Sequence, residues 1–364
     1  MSRTRNWTPD PLTKLKAVVT SVKKRQRLGA NNGNVIPHPD FLSAREGGKL
    51  YNHFQGIQRY GKYVIISGGI SSGSRNPQGS QLIVIQMGAK NPSMPWGYPR
   101  YQPAASSYDY KHPDPRDKVV AVIPLDRTLW HAGGIQMMGR ILAVPLYGKM
   151  PDGRPRSHVR FYDFSVPTRP TEIREMRITR PKKAFAVALA GLPDKRTLAI
   201  VWDDKTLDFY YSRTPGAKKW KPAIEVPGKR IPKFHQKDQK QYQCINLVVD
   251  SSSKDFFLVG FHNTNKLSPL STDAIFDLGK DYADVYTFPA AFDPAKPVND
   301  GTPGQKFKKV KAIYMRSNDW YSSFNADGGT YITPTGDIYI YGSPHWLHAD
   351  GSRYNYLEYT NKKV

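Results

Sequence analysis

Apolar residues along this chain come in short runs of four to eight, many of them alternating with polar residues and nearly all ended by Gly, Pro or Asp, the pattern of many short β-strands joined by turns. Self-similarity sharpens the reading. The segment His53-Phe-Gln-Gly-Ile-Gln-Arg-Tyr-Gly-Lys-Tyr-Val-Ile-Ile aligns without a gap on His131-Ala-Gly-Gly-Ile-Gln-Met-Met-Gly-Arg-Ile-Leu-Ala-Val. Each copy reads as strand, tight Gly turn, strand. Weaker relatives lie at Phe185–Trp202, Cys244–Phe261 and Ala326–Tyr341, making five units. A third strand is predicted in each unit, at Gln81–Met87, His158–Phe164, Leu207–Tyr211, Ala283–Phe288 and Arg353–Thr360. A fourth follows in four of them, at Lys118–Leu125, Glu172–Thr179, Pro222–Val226 and Phe307–Tyr314.

The fifth unit lacks a fourth strand, while Thr13–Thr20 is strand-like and precedes the first unit. Pairing the two closes a ring and removes exposed sheet edges. The expected fold is therefore all-β: a five-bladed β-propeller whose last blade is closed by an N-terminal strand. The chain is expected to form a single domain over 1–364, with blades at about 53–125, 131–179, 184–227, 243–314 and 326–360 plus 13–20. Six or seven blades follow if Gly88–Asp117 or Asn263–Tyr282 hides strands. A parallel α/β fold needs helices of ten or more residues between strands, and Pro and Gly interrupt nearly every candidate.

Composition adds an electrostatic expectation. Fifty-four Lys and Arg against 30 acidic residues give a formal charge of +24, which attracts polyanions: acidic glycans first, nucleic acid less so. The single Cys244 excludes an internal disulfide and lies in a strand-like run suited to a buried thiol. No apolar run approaches the roughly 20 residues that cross a bilayer. Met1–Asp10 has no apolar core of signal-peptide length, so the chain is expected to act either inside the cell or, as the favoured reading, outside it or in a periplasm as a mature form.

With strands assigned, loops can be sorted by face. Eight of the nine histidines then fall on one rim, where His53 and His131 stand immediately before first strands. Gln55, Gln243, Asn246, Asn325 and Asp327 are expected near the channel mouth, with Tyr51, Trp130, Tyr242, Trp320, Tyr321 and Trp346 around it. Imidazole serves as base, acid or metal ligand near neutral pH, amides stabilise developing negative charge, and aromatic rings stack on sugars or bases. His53 and His131 are candidate catalytic residues; each is equally suited to bonding a neighbouring blade's backbone. For Gly-Ile-Gln the architectural role is favoured: Gly for close approach at the axis, Ile for packing between blades, Gln for pairing with backbone. His345 and His348, spaced i, i+3, with His262 form a candidate site for a divalent metal ion.

The unit pattern resembles five-bladed propellers, a group that includes glycosidases, nucleotidases and sugar-binding lectins. The resemblance implies a fold and no particular activity. Glycosidases of that group resemble one another in carrying acidic residues on inner strands. Here those places hold His53 and His131, and Asp327 is the one acidic candidate nearby, which disfavours a paired-carboxylate mechanism. The leading expectation is an enzyme acting on an acidic polysaccharide or other anionic substrate, a lyase or hydrolase using the histidines. The alternatives are a glycan-binding or adhesion propeller without turnover, and a charge-driven scaffold.

Overall fold

The computed structural model describes residues 6–24, 34–37, 52–70, 79–88, 116–150, 153–203, 205–213, 220–227, 242–263, 281–293, 295–296, 298, 302–315, 324, 328–343 and 355–360. The chain opens with β1 (Trp7–Thr8), α1 (Pro11–Lys24) and β2 (Asn34–Pro37). Blade 1 follows as β3 (Asn52–Tyr60), β4 (Tyr63–Ile70), β5 (Ser80–Gln86) and β6 (Lys118–Asp126). In blade 2 the inner strand is split into β7 (His131–Ala132) and β8 (Gln136–Met138). It continues through β9 (Ile141–Lys149) and β10 (Pro155–Asp163) to an outer strand divided into β11 (Thr171–Glu172) and β12 (Ile178–Arg180). Blade 3 is β13 (Ala186–Gly191), β14 (Thr197–Trp202), β15 (Thr206–Ser212) and β16 (Trp220–Pro227). Blade 4 is β17 (Cys244–Asp250), β18 (Phe256–Asn263), β19 (Asp281–Phe288) and β20 (Lys308–Met315). Blade 5 is β21 (Gly329–Ile332), β22 (Ile338–Gly342), β23 (Asn355–Thr360) and, from the other end of the chain, β2.

Five antiparallel sheets thus form a five-bladed propeller, and five apolar clusters lie one between each pair of consecutive blades. Phe54, Ile66 and Ile83 meet Tyr339, Tyr341 and Tyr356 of blade 5, which closes the circle. Ile65, Leu82 and Val84 meet Leu142, Val144 and Leu146 of blade 2. Because each sheet is sandwiched between two others, its strands are apolar on both faces, which is why Tyr63–Ile66 and Leu142–Leu146 read as unbroken apolar runs.

The closing strand is β2, not Thr13–Thr20. Asn34–Pro37 pairs antiparallel with Asn355–Glu358, whereas Thr13–Thr20 lies inside α1. Asp10 caps that helix: its Oδ1 accepts from Thr13 N at 3.2 Å, its carbonyl accepts from Lys14 N, and Pro11 takes the first helical position. Leu15 is fully buried in the cluster between blades 4 and 5, so the helix face that looked like a strand packs on the finished sheets.

We call upper the face on which the innermost strands begin. At the lower face Asn6–Thr8 crosses three blades. Asn6 Nδ2 donates to Leu189 O at 3.0 Å and Trp7 Nε1 to Gly191 O at 3.1 Å, both on blade 3. β1 pairs in parallel with Val249–Asp250 of blade 4, and Thr8 Oγ1 donates to Gly336 O of blade 5 at 2.5 Å.

Candidate functional site

A belt of amides surrounds the axis one turn below the upper face. Gln58 Nε2 donates to Asn246 Oδ1 at 3.1 Å, and Gln58 Oε1 accepts from Met137 N at 3.2 Å. Gln136 Oε1 accepts from Leu189 N and Leu247 N, each at 2.8 Å, while its Nε2 donates to Leu247 O at 2.8 Å. Asn246 Oδ1 also accepts from Thr330 N at 2.6 Å and Thr330 Oγ1 at 3.1 Å; its Nδ2 donates to Ile245 O and Ile135 O. All five blades are tied at this level. Glycine makes the approach feasible: a Cβ on Gly56 would lie 2.6 Å from Ile135 N, on Gly134 2.5 Å from Gln243 O, and on Gly329 1.8 Å from Ile57 O. The Gly-Ile-Gln repeat is therefore architectural. Asn246, expected at the mouth, belongs to this belt and is wholly buried, with both ends of its amide engaged by protein groups.

His131 sits above the belt at the top of blade 2 and is 6 % exposed. Gly133 lets the inner strands of blades 2 and 3 touch, since a Cβ there would lie 1.9 Å from Phe185 O. The imidazole is consequently held in an aromatic seat. Its ring centroid lies 4.2 Å from Tyr147, 6.5 Å from Phe185 in an edge arrangement and 5.2 Å from half-buried Trp130. Trp130 is placed where the sequence put it, at the rim. Tyr147 and Phe185 were not foreseen, because the pairing slips by one residue between Gln136–Ala143 and His131–Tyr147, so counting outward from the Gly139 turn does not find His131's neighbour.

Other sequence candidates distribute as follows. The described part of His53 is its backbone, paired with Gly69, in the same position of blade 1 that His131 holds in blade 2. Gln55 is buried at a β-bulge between Phe54 and Gly56, and Gln243 is half-buried with its carbonyl against Gly134. Asn325, Asp327, Trp320, Tyr321, His345 and His348 lie outside the described residues.

His262 is at the upper end of β18, 1 % exposed, with Nε2 3.2 Å from Asp284 Oδ2 and its ring stacked on Tyr282. The same Asp284 oxygen takes Lys309 Nζ at 2.5 Å and the Tyr242 hydroxyl at 2.7 Å; Tyr242 in turn meets Tyr286 OH at 2.8 Å. Lys309 thus supplies a cation beside the Asp284 carboxylate that faces His262. Among the described residues there is no group of three or more His, Cys, Asp or Glu arranged to hold a metal ion. Tyr242, expected on the rim, is buried under this network. Burial pushes its hydroxyl well above the usual tyrosine range, and Tyr286 and Asp284 add to the effect. Asp284 goes the other way: burial opposes ionisation, but hydrogen bonds from His262, Lys309 and Tyr242 hold it below the usual carboxylate range.

Several other carboxylates are engaged between blades. Asp208 and Asp203 meet Arg180, Asp126 meets Arg160, and Glu358 receives Tyr341 OH at 2.7 Å beside fully buried Arg59. Among the described residues of the five inner strands the one carboxylate is Asp250, at the lower end, where Oδ1 accepts from Ser252 N and Ser253 N.

No protein-family model matches the chain, and no curated protein matches it. Among solved structures it is similar to the GH43_1 enzyme from Xanthomonas citri complexed with xylotriose, at 9 % identity over 94 % of this chain and 92 % of that one, with a TM-score of 0.44. It is also similar to an exo-β-1,3-galactanase from Phanerochaete chrysosporium, at 9 % identity over 90 % and 63 % of the two chains, TM-score 0.42. A xylan β-1,4-xylosidase from Bacillus halodurans C-125 gives 9 % identity over 87 % and 54 %, TM-score 0.46. These likenesses assign no residue and no activity to the chain.

Proposed function

We propose that the upper face binds an acidic polysaccharide and that His131, with His53 at the matching place in blade 1, moves the proton in its cleavage. The observation that supports this reading most is the seat of His131: a proton carrier held at the inner rim by Trp130, Tyr147 and Phe185, on a chain with a formal charge of +24. Aromatic faces suit the apolar faces of sugar rings, and imidazole removes a proton near neutral pH. Gln55 and Gln243, with Asn325 and Asp327, are the proposed polar contacts to the substrate, and Trp320 and Tyr321 are proposed to extend the rim. The lack of an inner-strand carboxylate near the upper face among the described residues favours lyase chemistry over a two-carboxylate hydrolase. In that reaction the base takes the proton beside a uronate carboxylate, the electron pair forms a double bond, and the glycosidic oxygen leaves with a proton. Action outside the cytoplasm is part of this proposal.

A second reading, binding without turnover, draws on the close packing of the His131 ring on Tyr147, which serves a rigid lectin-like pocket equally well. His131→Phe separates the two, because it keeps an aromatic ring in the seat and removes the proton carrier. On a panel of polyuronates, the catalytic reading expects wild-type release of unsaturated product and about a 10²- to 10⁴-fold loss in the variant, with melting little changed. Wild-type binding without product release establishes the second reading. Neither binding nor release overturns both.

A further inference from the structure

The inner strand of each blade turns one edge to the axis, where buried N–H and C=O groups need partners from outside their own meander. In the upper half of blades 3 and 4 the partner is Gln136, which takes Leu189 N, Leu247 N and Leu247 O. Lower down, the partner is the segment Asn6–Thr8. It lies on the axis side of blade 4, because β1 pairs with the edge of β17 that faces away from β18. Val249 N donates to Asn6 O at 2.7 Å and Ser251 N to Thr8 O at 3.1 Å. Asn6 Nδ2 and Trp7 Nε1 satisfy Leu189 O and Gly191 O on the matching edge of β13. Leu189 is shared between the two levels: its N–H belongs to Gln136 and its carbonyl to Asn6.

The two partners are held very differently. Gln136 is buried within the amide belt, whereas Asn6 and Trp7 are only half-buried. The indole packs against the margin of the cluster between blades 3 and 4, with Lys254 Nζ 4.9 Å from its ring. β1 is two residues long, and Pro9, which has no N–H to offer, ends the pairing. Asp10 follows at φ 46°, in the left-handed region that L side chains adopt rarely, and there the chain turns into α1. The helix has its own anchors: Leu15 is fully buried between blades 4 and 5, and Lys14 Nζ donates to Gly336 O at 2.5 Å. A short, half-buried strand joined through a sharp turn to a fixed helix has the form of a strap on a hinge.

We propose that Asn6–Thr8 is a latch across the lower end of the axis, which opens and recloses while the five blades stay folded. Opening exposes Val249 N, Ser251 N, Leu189 O and Gly191 O to water and leaves the bonds made by Gln136 in place. His131 lies on the opposite face, so the latch stands or falls independently of the proposed function.

Native-state hydrogen exchange resolved to single amides is the test, run across a urea series below the unfolding transition. In wild type, Val249 and Ser251 are expected to show protection at least about tenfold lower than Leu189 and Leu247, with a weaker dependence on urea, because a small opening exposes little surface. Ile66→Val, in the cluster between blades 1 and 5, weakens the ring far from the latch. It is expected to lower the protection of Leu189 and Leu247 by about two- to tenfold and to leave Val249 and Ser251 unchanged. Asn6→Ala/Trp7→Ala is expected to lower the protection of Val249 and Ser251 by about tenfold or more; if that variant does not fold, Asn6→Ala alone is read in the same way. Equal protection and equal urea dependence at all four amides in wild type, falling together in Ile66→Val, overturns a separate opening. Unchanged protection of Val249 and Ser251 in the Asn6 variants overturns the assignment of the latch to this segment.

Discussion

Asn246→Ala tests whether the axial amides hold the ring together. The wild-type side chain is wholly buried, and its Oδ1 accepts from Gln58 Nε2, Thr330 N and Thr330 Oγ1. Truncation leaves at least the Thr330 amide and one Gln58 proton without an acceptor, and each orphaned buried donor costs about 1–3 kcal/mol. With the lost bonds to Ile245 O and Ile135 O, the expected destabilisation is about 3–5 kcal/mol. Equilibrium urea unfolding followed by tryptophan fluorescence measures it, with an unchanged m-value as the sign that the denatured state is unaltered. Asn246→Asp gives a second, independent reading. Its protonated carboxyl reproduces the acceptor and one donor of the amide, while its ionised form faces two carbonyls. Burial raises the folded pKa of such a carboxyl above the ordinary value of about 3.9, so stability relative to wild type is retained in acid and lost as pH rises through the folded value. An Asn246→Ala cost below about 1 kcal/mol, together with a pH-independent Asn246→Asp, refutes the strut argument.

Four further outcomes follow from the packing. Arg59→Met leaves Glu358 buried without its cation, for an expected loss of about 3–5 kcal/mol and faster proteolysis in the segment around β2, read by denaturant titration and timed digestion. Gly329→Ala places a methyl 1.8 Å from Ile57 O and is expected to prevent folding or lower the melting temperature by more than any surface change. His158, held down to about 4 by burial and by Arg177, Arg160 and Arg156, stays neutral in the fold while the unfolded chain takes a proton below 6.5; stability therefore falls as pH drops from 6.5 to 4, and His158→Gln flattens that limb. Asp284, depressed below its usual 3.8, contributes above that value and loses the contribution as pH falls through its folded pKa, so Asp284→Asn removes part of the steepest acid limb in a melting-versus-pH series.

The blades were legible because a sandwiched sheet imposes a local rule: apolar runs on both faces, separated by turns at Gly61, Gly139 and Gly336, all at positive φ. The closing strand was not. Asn34–Pro37 is four residues long and draws its stability from β23, far away in sequence, while Thr13–Thr20 shows a stronger apolar pattern because one helix face packs on blades 4 and 5. The signal against a strand there was present in Asp10-Pro11, a cap followed by the residue best suited to a first helical turn. At the site, the place of His131 on the upper face and of Trp130 beside it followed from strand counting. Tyr147 and Phe185 did not, since a one-residue slip and an inter-blade contact set their positions. Asn246 occupies in Cys-Ile-Asn the position that Gln58 and Gln136 occupy in Gly-Ile-Gln, so its belt role was available from the repeat itself.

Residues 34–37 meet residues 355–360 only after nearly all of the chain has left the ribosome. At about 5–20 residues per second, synthesis of the intervening stretch lasts on the order of 15–65 seconds, during which β2 has no partner strand and Phe54, Ile66 and Ile83 of blade 1 wait for Tyr339, Tyr341 and Tyr356 to cover them. Nascent protein therefore carries an uncovered blade 1 face until blade 5 is made, and an isolated fragment lacking blade 5 carries it permanently. Moving the breakpoint of the chain to the connection between β20 and β21 makes blade 5 contiguous in sequence, and is the circular permutation expected to shorten that wait most.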